Sequence, residues 1–335
     1  MESIKIYNAK TIKDHMATRE GETKFGEKIC FIEDLEELEK HPAEYVIFGI
    51  PEDIGIRANH GKPGAARTWQ HLLASLLNIQ VNEYTNAENL ILLGEIDCRD
   101  LMDKAAYLGE EDPHYYAKLG DLVKKLDLAV TNLVEEIVGA GKIPIIIGGG
   151  HNNAFGNIKG SSRAIERPIN ILNIDAHTDL RSIAHRHSGN GFSCARHEGS
   201  LGKYAMFGIH QNYTPQYIFD EIKASEITRY QLFDDLMLLD EEKRFSSFNE
   251  MLSFVNRSEF GLEIDCDSIA GFPSSAQTPS GFSLNEVRNY VMRAKTTNCR
   301  YLHLCEAVAP AGEEGQTGKA LTYLITDFMS NTTVL

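Results

Sequence analysis

Short apolar runs rich in β-branched residues recur along the chain, with longer helix-like stretches between them. Strands that are buried on both faces of a parallel sheet have this nearly continuous apolar character, whereas half-solvated strands alternate apolar and polar residues. The pattern therefore predicts an α/β fold. The eight expected strands cover residues 45–50, 90–94, 143–147, 169–174, 204–209, 227–233, 260–264 and 300–304.

Two helices have clear sequence signals. Residues 116–138 carry a leucine and isoleucine stripe at helical spacing, and the stripe ends at Gly139 and Gly141. The segment S-L-N-E at Ser283 supplies the serine and the glutamate of a capping box, so a second helix is expected from there to about residue 298. Both helices are interpreted as scaffolding.

The chain has 335 residues, 42% of them hydrophobic and 24% charged, which is ordinary for a globular protein and excludes a disordered or fibrous one. No repeat or Pro/Gly/Ser-rich linker divides it, so a single domain over 1–335 is expected, with a polar N-terminal extension at about 1–40. The Gly/Ser-rich connections 179–193 and 268–282 are long enough to be functional loops.

The charge balance bears on partners and location. With 48 acidic and 33 basic residues the formal charge is −15, which disfavours nucleic acid and membrane surfaces as partners. The apolar runs are too short to span a bilayer and the first residues lack a signal-peptide core, so a cytoplasmic protein is expected. The six cysteines form no C-x-x-C pair and are interpreted as reduced, buried thiols.

Residues suited to chemistry follow three of the expected strands. In open α/β sheets ligands bind beyond the carboxyl ends of the strands. GGGH follows 143–147, DAHTD follows 169–174, and DCD follows 260–264. Residues two apart in an extended segment share a face, so the side chains of each segment are able to converge. The candidate metal ligands are His151, Asp175, His177, Asp179, Asp265 and Asp267.

Taken singly, each of these motifs has an ordinary structural interpretation as a loop histidine, a turn or a helix cap. Together they bring four aspartates to neighbouring strand ends, and such crowding is costly unless cations neutralise it. An oxygen-rich set with two imidazoles suits two divalent ions, and manganese in particular. Two such ions hold a bridging water and lower its pKa, so the sequence predicts a hydrolase.

GGGH, NIDAHTDL and EIDCD, in this order on successive strand ends, resemble the ureohydrolase superfamily of arginases, agmatinases and formiminoglutamases. The resemblance spans about residues 46–306. It implies a three-layer α-β-α sandwich around an eight-stranded parallel sheet, a trimeric or hexameric assembly, and two manganese ions held by the six residues above. Asp175, Asp179 and Asp265 would orient the bridging solvent, and Glu306 in HLCEAVAP would pair with a cationic amidinium or guanidinium.

Within the superfamily, HSGNGFS, GIPEDIG and GGGH look most like formiminoglutamase-type members. Arginases carry a proton-shuttling histidine where this chain has Phe192, which disfavours arginase. The implied reaction converts N-formimino-L-glutamate to glutamate and formamide, a step of histidine catabolism. The alternatives of the same class are an agmatinase, an arginase or a guanidino-acid hydrolase.

The implied catalytic residues are Asp179 and Glu306, with His187 as a nearby proton shuttle or, alternatively, a solvated loop histidine. Arg181 is a candidate substrate-binding residue, because a glutamate-derived substrate brings two carboxylates. The resemblance adds Ser188 and Asn190, which occupy the S-G-N positions that contact the amino acid end of the substrate in the family. Arg181 has an equally common alternative role, which is to neutralise the aspartates. Further cations near these motifs are Arg57, Arg67, Arg186 and Arg196.

Two departures from the family pattern leave a second class of function open. Ala270 and Gly271 replace an Asp and a Pro after D-x-D, and Glu263 stands where a small hydroxyl residue is usual. Glu263 adds negative charge beside the ligands unless a Lys or Arg pairs with it. A degenerate homologue that binds a metabolite without turnover is therefore an alternative. A single-zinc deacetylase is a further one, but it needs only three ligands.

Overall fold

The computed structural model describes residues 4–330 and shows a mixed α/β fold with one central, mostly parallel sheet. Its nine strands are β1 (Ile4–Ile6), β2 (Tyr45–Gly49), β3 (Leu90–Ile96), β4 (Ile143–Ile147), β5 (Ile169–Ile174), β6 (Leu201–Ile209), β7 (Thr228–Leu232), β8 (Phe260–Asp265) and β9 (Cys299–Cys305). All eight predicted strands are present, with ends shifted by three residues at most.

The helices are α1 (Ile54–Ala58), α2 (Thr68–Leu76), α3 (Arg99–Ala106), α4 (Tyr115–Gly139), α5 (Ala154–Ala164), α6 (Gly191–His197), α7 (Gln216–Ala224), α8 (Phe233–Leu236), α9 (Glu241–Val255), α10 (Leu284–Ala294) and α11 (Glu314–Met329). The two helices singled out from the sequence are α4 and α10. The capping box forms at α10, where Ser283 Oγ accepts from the Glu286 N–H at 3.2 Å. None of the described helices is both long and apolar enough to cross a membrane.

The core lies in two layers, one on each face of the sheet. Alternate residues of β2 point to opposite layers: Ile47 joins the cluster built with α2, α9, α10 and α11, while Val46 joins the cluster built with α4, α5 and α6. This alternation explains why the strands are apolar throughout, since both faces are covered by helices. The expected three-layer arrangement is confirmed.

The ninth strand was missed because three residues are too few to show a period. β1 pairs antiparallel with β3, with Ile4 opposite Ile96, so the sheet is not entirely parallel. The segment 4–40, expected to be a polar extension, also contributes buried side chains to the core, among them Tyr7, Ile12 and Phe25.

The strand order is β1-β3-β2-β4-β9-β8-β5-β6-β7. β5 and β8 are neighbours in the sheet, but β5 connects onward to β6 on one side and β8 connects onward to β9 on the other, so the connections after them leave in opposite directions. Such a switch point opens a crevice at the carboxyl ends of the strands. The motifs predicted to carry chemistry follow the four strands of this central group.

Candidate active site

The connection after β4 turns sharply because of its glycines. Gly148 and Gly149 have φ values of 86° and 70°, a region that residues with a Cβ rarely adopt. A Cβ on Gly149 would lie 2.3 Å from Nδ2 of Asn153. The turn therefore depends on glycine, and it places His151 directly at the end of the strand.

The buried carboxylate of Glu52 accepts the hydrogen bonds that hold this turn. Its Oε1 accepts from the Gly150 N–H at 3.0 Å and from the side-chain amides of Asn152 and Asn153 at 3.1 and 2.8 Å. Its Oε2 accepts from the Ile54 N–H at 2.6 Å. Burial raises the pKa of Glu52, against these donors, which lower it. The sequence showed Glu52 only as part of GIPEDIG, with no sign of this role.

The six predicted ligands converge in two clusters that share Asp265. His151, Asp175, Asp179 and Asp265 form the first, and His177, Asp265 and Asp267 form the second; within each cluster the ligand atoms lie within 4.8 Å of one another. The side chains of D-x-H-x-D were predicted to converge on one point. In the structure its two aspartates lie with His151, whereas His177 lies with Asp265 and Asp267 of the DCD segment.

Two of the site's carboxylates occupy unusual backbone positions. Asp179 has a φ of 49° and Glu306 a φ of 60°, both in the left-handed region that side chains disfavour. Such strain persists where the surrounding structure holds it, and it is common in functional sites. In both residues it directs a carboxylate toward the cavity at the strand ends.

Burial and neighbouring carboxylates disfavour the ionised form of two of the aspartates, Asp265 and Asp179. Burial raises the pKa of Asp265 well above its usual range, and the carboxylates of Asp267 and Asp175 add to this. Burial and Asp175 likewise raise the pKa of Asp179. A divalent ion bound between them would favour the ionised form of each.

His151 offers one ring nitrogen to the first cluster. Its Nδ1 lies 2.9 Å from Asp179 Oδ2 and 3.3 Å from Asp175 Oδ2 and Asp265 Oδ2, yet it makes no well-directed hydrogen bond although the residue is only 1% exposed. A buried nitrogen without a partner, surrounded by carboxylate oxygens, fits a metal ligand. The donor set suits a divalent ion that accepts oxygen and imidazole ligands.

A cavity of about 400 Å³ opens onto both clusters. Asp179, Asp265, Asp267 and His177 line it together with Glu306. The Glu306 carboxylate is held on one side only, since Oε1 accepts from the His151 N–H at 2.6 Å whereas Oε2 is buried without a hydrogen-bond partner. Burial, with the neighbouring Asp267, raises the pKa of Glu306 to about 8, so a cation beside it would restore its charge.

Two cationic side chains, Arg181 and Lys62, line the same cavity. Within residues 4–330, neither forms an ion pair with a carboxylate. Arg181 Nη1 donates to Asn59 Oδ1 at 3.3 Å, and Asn59 Nδ2 donates to Ser188 Oγ at 3.2 Å. Arg181 therefore does not neutralise Asp175 or Asp179. Lys62 lies between Arg57 and Arg67, and only these two arginines of the segment 55–67 were named as candidate cations from the sequence.

Two of the residues predicted to bind substrate or transfer protons, Asn190 and His187, lie outside the cavity lining. Asn190 is fully buried, and its amide donates to the carbonyls of Ser182 and His185 at 2.8 and 2.7 Å. His187 uses Nδ1 to accept from the Gly189 N–H at 3.1 Å, and burial lowers its pKa to about 3. The geometry therefore supports roles in shaping the loop, rather than substrate binding for Asn190 or proton transfer for His187.

Three of the four further cations named from the sequence have structural partners. Arg186 is buried and pairs bidentately with Asp127 at 2.8 and 2.9 Å. Arg57 donates to the Ala105 carbonyl at 2.8 Å, and Arg196 pairs with Glu221 at 2.8 Å. Phe192 packs edge-on against His151 with ring centroids 5.0 Å apart. Phe192, at the position of the arginase histidine, thus packs against the candidate metal ligand His151.

Comparison with known proteins agrees with this geometry. The model of the Arginase family matches residues 43–330. The chain belongs to the arginase family. Among its relatives, a formimidoylglutamase of Chromobacterium violaceum is 31% identical over 248 residues, which cover 71% of each chain. The predicted ureohydrolase relationship is confirmed.

Solved structures in the same family share the fold. Formiminoglutamase of Trypanosoma cruzi, solved with Mn²⁺, superposes with a TM-score of 0.71 at 18% identity, covering 92% of this chain and 98% of that one. Formimidoylglutamase of Bacillus subtilis superposes with a TM-score of 0.72 at 17% identity, covering 94% and 93%. At these identities the superpositions confirm the architecture.

Proposed function

We propose that this member of the arginase family hydrolyses N-formimino-L-glutamate to glutamate and formamide. Family membership and the formimidoylglutamase relatives indicate a hydrolase that acts on C–N bonds of amidines. The observation that carries the substrate assignment is the cavity itself, which opens onto both carboxylate clusters and an unpartnered oxygen of Glu306. Arg181 and Lys62 also line it, and neither has a carboxylate partner among the described residues.

Two manganese ions fit the clusters described above, one with His151, Asp175, Asp179 and Asp265, the other with His177, Asp265 and Asp267. When bound, such an ion pair supplies Lewis-acid polarisation and makes water nucleophilic at neutral pH. The remaining steps fall to the side chains of this chain, which must bind the amidine, orient it and move its protons.

Glu306 is suited to hold the amidinium end of the substrate. Its free Oε2 faces a cavity that is otherwise rich in carboxylates, and an amidinium carries N–H donors and a positive charge. Water adds to the amidine carbon, the bond from that carbon to the glutamate nitrogen breaks, and the leaving amine takes a proton. Asp179, which lines the cavity beside Glu306, is placed to accept and return that proton.

Arg181 and Lys62 are suited to hold the glutamate end. A substrate with two carboxylates requires cationic or hydroxyl donors at a distance from the metal clusters, although the protein as a whole is acidic. Ser188 lines the cavity next to Arg181 and is tied to it through Asn59. Agmatine has no carboxylate, so these groups favour a glutamate derivative over agmatine.

The experiment is a substrate panel with manganese-loaded protein. Formiminoglutamate, agmatine, arginine and guanidinobutyrate are incubated in turn, and formamide, urea and ammonia are measured. Formamide from the first substrate alone supports the proposal. Turnover of another substrate in its place rejects the assignment and keeps the reaction class, whereas less than one ion bound per chain would favour a homologue that binds without turnover.

We also infer a cytoplasmic enzyme that assembles from identical subunits. A trimer or hexamer is the assembly that the family resemblance implies, and it remains a prediction. Light scattering of the purified protein tests it directly, and a monomer at micromolar concentration would contradict it.

A further inference from the structure

Glu263 is a departure from the family pattern that adds a negative charge beside the clusters. It lies on β8, two residues before Asp265, and it is fully buried. A charged carboxylate in such a place is costly unless it is paired. From the sequence, a Lys or Arg was the expected partner of this carboxylate. Within the described residues, neither a Lys nor an Arg forms an ion pair with Glu263.

The partners of Glu263 come from the neighbouring strand β9. Tyr301 donates its hydroxyl to Oε1 at 2.7 Å, and Nδ1 of His303 lies 2.5 Å from Oε2. A carboxylate that accepts a hydroxyl proton on Oε1 and lies against an imidazole nitrogen on Oε2 is the acceptor in both contacts, so His303 presents an N–H on Nδ1 to Glu263.

The same carboxylate faces His151 from the side opposite the candidate metal cluster. Nε2 of His151 is buried without a well-directed hydrogen bond, and Glu263 Oε2 is the carboxylate oxygen beside it, at 3.5 Å. Nδ1 faces Asp175, Asp179 and Asp265 instead. A neutral imidazole has one protonated and one free nitrogen, and a metal ligand needs the free one toward the ion. Only the tautomer with the proton on Nε2 serves this purpose, and Glu263 is the acceptor that this proton faces.

We propose that Glu263 is a positioning residue whose Oε2 selects the metal-binding tautomer and orientation of His151. Ligating histidines commonly donate their second N–H to a carboxylate, which fixes the ring and raises its basicity as a ligand. Here the carboxylate replaces the small hydroxyl residue usual in the family, so a charged acceptor replaces a neutral one. The inference rests on the metal site of the proposed function, and it concerns the ion in the cluster of His151, Asp175, Asp179 and Asp265.

A neighbouring group, formed by His151, His303 and Cys305, also brings possible ligands together. It does not compete with this assignment. The Cys305 thiol donates to the Ile264 carbonyl at 3.6 Å, and burial raises its pKa well above the usual range, so it remains protonated. His303 has its Nδ1 committed to Glu263.

The test measures manganese binding without turnover. Free Mn²⁺ is followed by its EPR signal during titration of the metal-free full-length protein, which yields two stepwise affinities. Glu263→Gln keeps the size and one acceptor oxygen but removes the charge, and Glu263→Ser supplies the family's small hydroxyl. In both variants the affinity for the ion in the His151 cluster is expected to fall by roughly 10- to 100-fold, and the affinity for the other ion to stay within about threefold of wild type.

Tyr301→Phe is the matched control. It removes a buried hydrogen bond to Glu263 Oε1 but leaves Oε2 facing both histidines, so it carries a similar structural cost without disturbing His151. We expect it to lower the melting temperature as much as Glu263→Gln does, with both manganese affinities close to wild type.

The outcomes separate this inference from the proposed function. Wild-type affinities in both Glu263 variants overturn the inference alone, and so does an equal loss of both ions that follows the melting temperature across all three variants. Failure of the wild-type protein to bind two ions overturns the inference together with the proposed function. Selective weakening of one ion supports the inference even if formiminoglutamate is not the substrate.

Discussion

His151 shows how strongly this site depends on the direction of single atoms. One ring nitrogen faces three aspartates and the other faces Glu263, while the backbone N–H of the same residue holds Glu306. A single residue thus links the candidate metal clusters to the carboxylate proposed to bind the substrate. Substitutions in its surroundings are expected to change metal binding before they change the fold.

Asp267 is predicted to be required for one ion only. Asp267→Ala should reduce bound manganese from two ions toward one and lower activity by more than the roughly 10- to 100-fold typical of outer-shell partners. The stability loss should be small, because relief of carboxylate crowding offsets the lost hydrogen bonds to Ala276 and Gln277. Metal analysis together with urea unfolding measures both effects.

Asp267→Asn is the companion variant. It keeps an acceptor for the two backbone N–H groups but removes the charge, so it should lose the ion as Asp267→Ala does. Retention of both ions in either variant would remove Asp267 from the metal site.

Arg181 and Lys62 are predicted to act through substrate affinity. Arg181→Met and Lys62→Met should each raise KM for a dicarboxylate substrate by roughly 10-fold or more, since a hydrogen bond to a charged group contributes about 1.5–3 kcal/mol. kcat and bound manganese should change little, because these contacts hold the ground state and transition state alike. Steady-state kinetics of manganese-loaded protein measure the effect.

Asn190→Ala provides the contrast within the same loop. Because the Asn190 amide bonds to the loop itself, its removal should cost about 1–3 kcal/mol of unfolding free energy. A higher KM with unchanged stability would instead place Asn190 at the substrate.

At the scale of elements, the site is assembled from connections that follow β4, β5, β8 and β9, and buried charged side chains hold the first two. Glu52 holds the glycine turn after β4, and Arg186 ties the loop after β5 to α4 through Asp127. These loops carry the chemistry, and the buried polar groups beneath them keep the loops in place.

Glu52→Ala is predicted to destabilise the glycine turn. It leaves backbone and side-chain donors of the turn without acceptors in a buried place, and the unfolding free energy should fall by about 3 kcal/mol or more. Glu83 is exposed, so Glu83→Ala should change stability by less than about 0.5 kcal/mol. Urea unfolding compares the two, and equal midpoints would show that the turn does not depend on Glu52.

At the scale of the whole molecule, the free energy of unfolding should depend on whether manganese neutralises the carboxylate clusters. Manganese that binds the folded chain alone stabilises it by about 2.7 kcal/mol at 100 times the dissociation constant. For a chain of 335 residues this corresponds to a melting temperature higher by roughly 4 °C. Calorimetry with manganese and with a chelator measures the shift.

The control for this prediction is Asp175→Ala in the same pair of conditions. Asp175 belongs to the cluster around His151, so the variant should show a clearly smaller shift. An equal shift in both proteins would mean that manganese binds elsewhere.

Local sequence patterns were enough to predict eight of the nine described strands and the metal-ligand candidates. Two-sided burial makes each parallel strand an apolar run, and the ligands follow directly in the chain, so both signals lie within about ten residues of one another. The strand 169–174 and its DAHTD sequel are the clearest example, since the predicted and observed strand have the same ends.

Side-chain direction in the loops depended on contacts between distant parts of the chain. Arg186 and Arg181 are five residues apart and look alike in sequence, yet one is buried against Asp127 on α4 and the other lines the cavity. Glu263 could not be interpreted until β8 lay beside β9 and brought Tyr301 and His303 to it. Such partners are set by the order of strands and the packing of helices, because a short segment carries no information about which distant side chain it will meet.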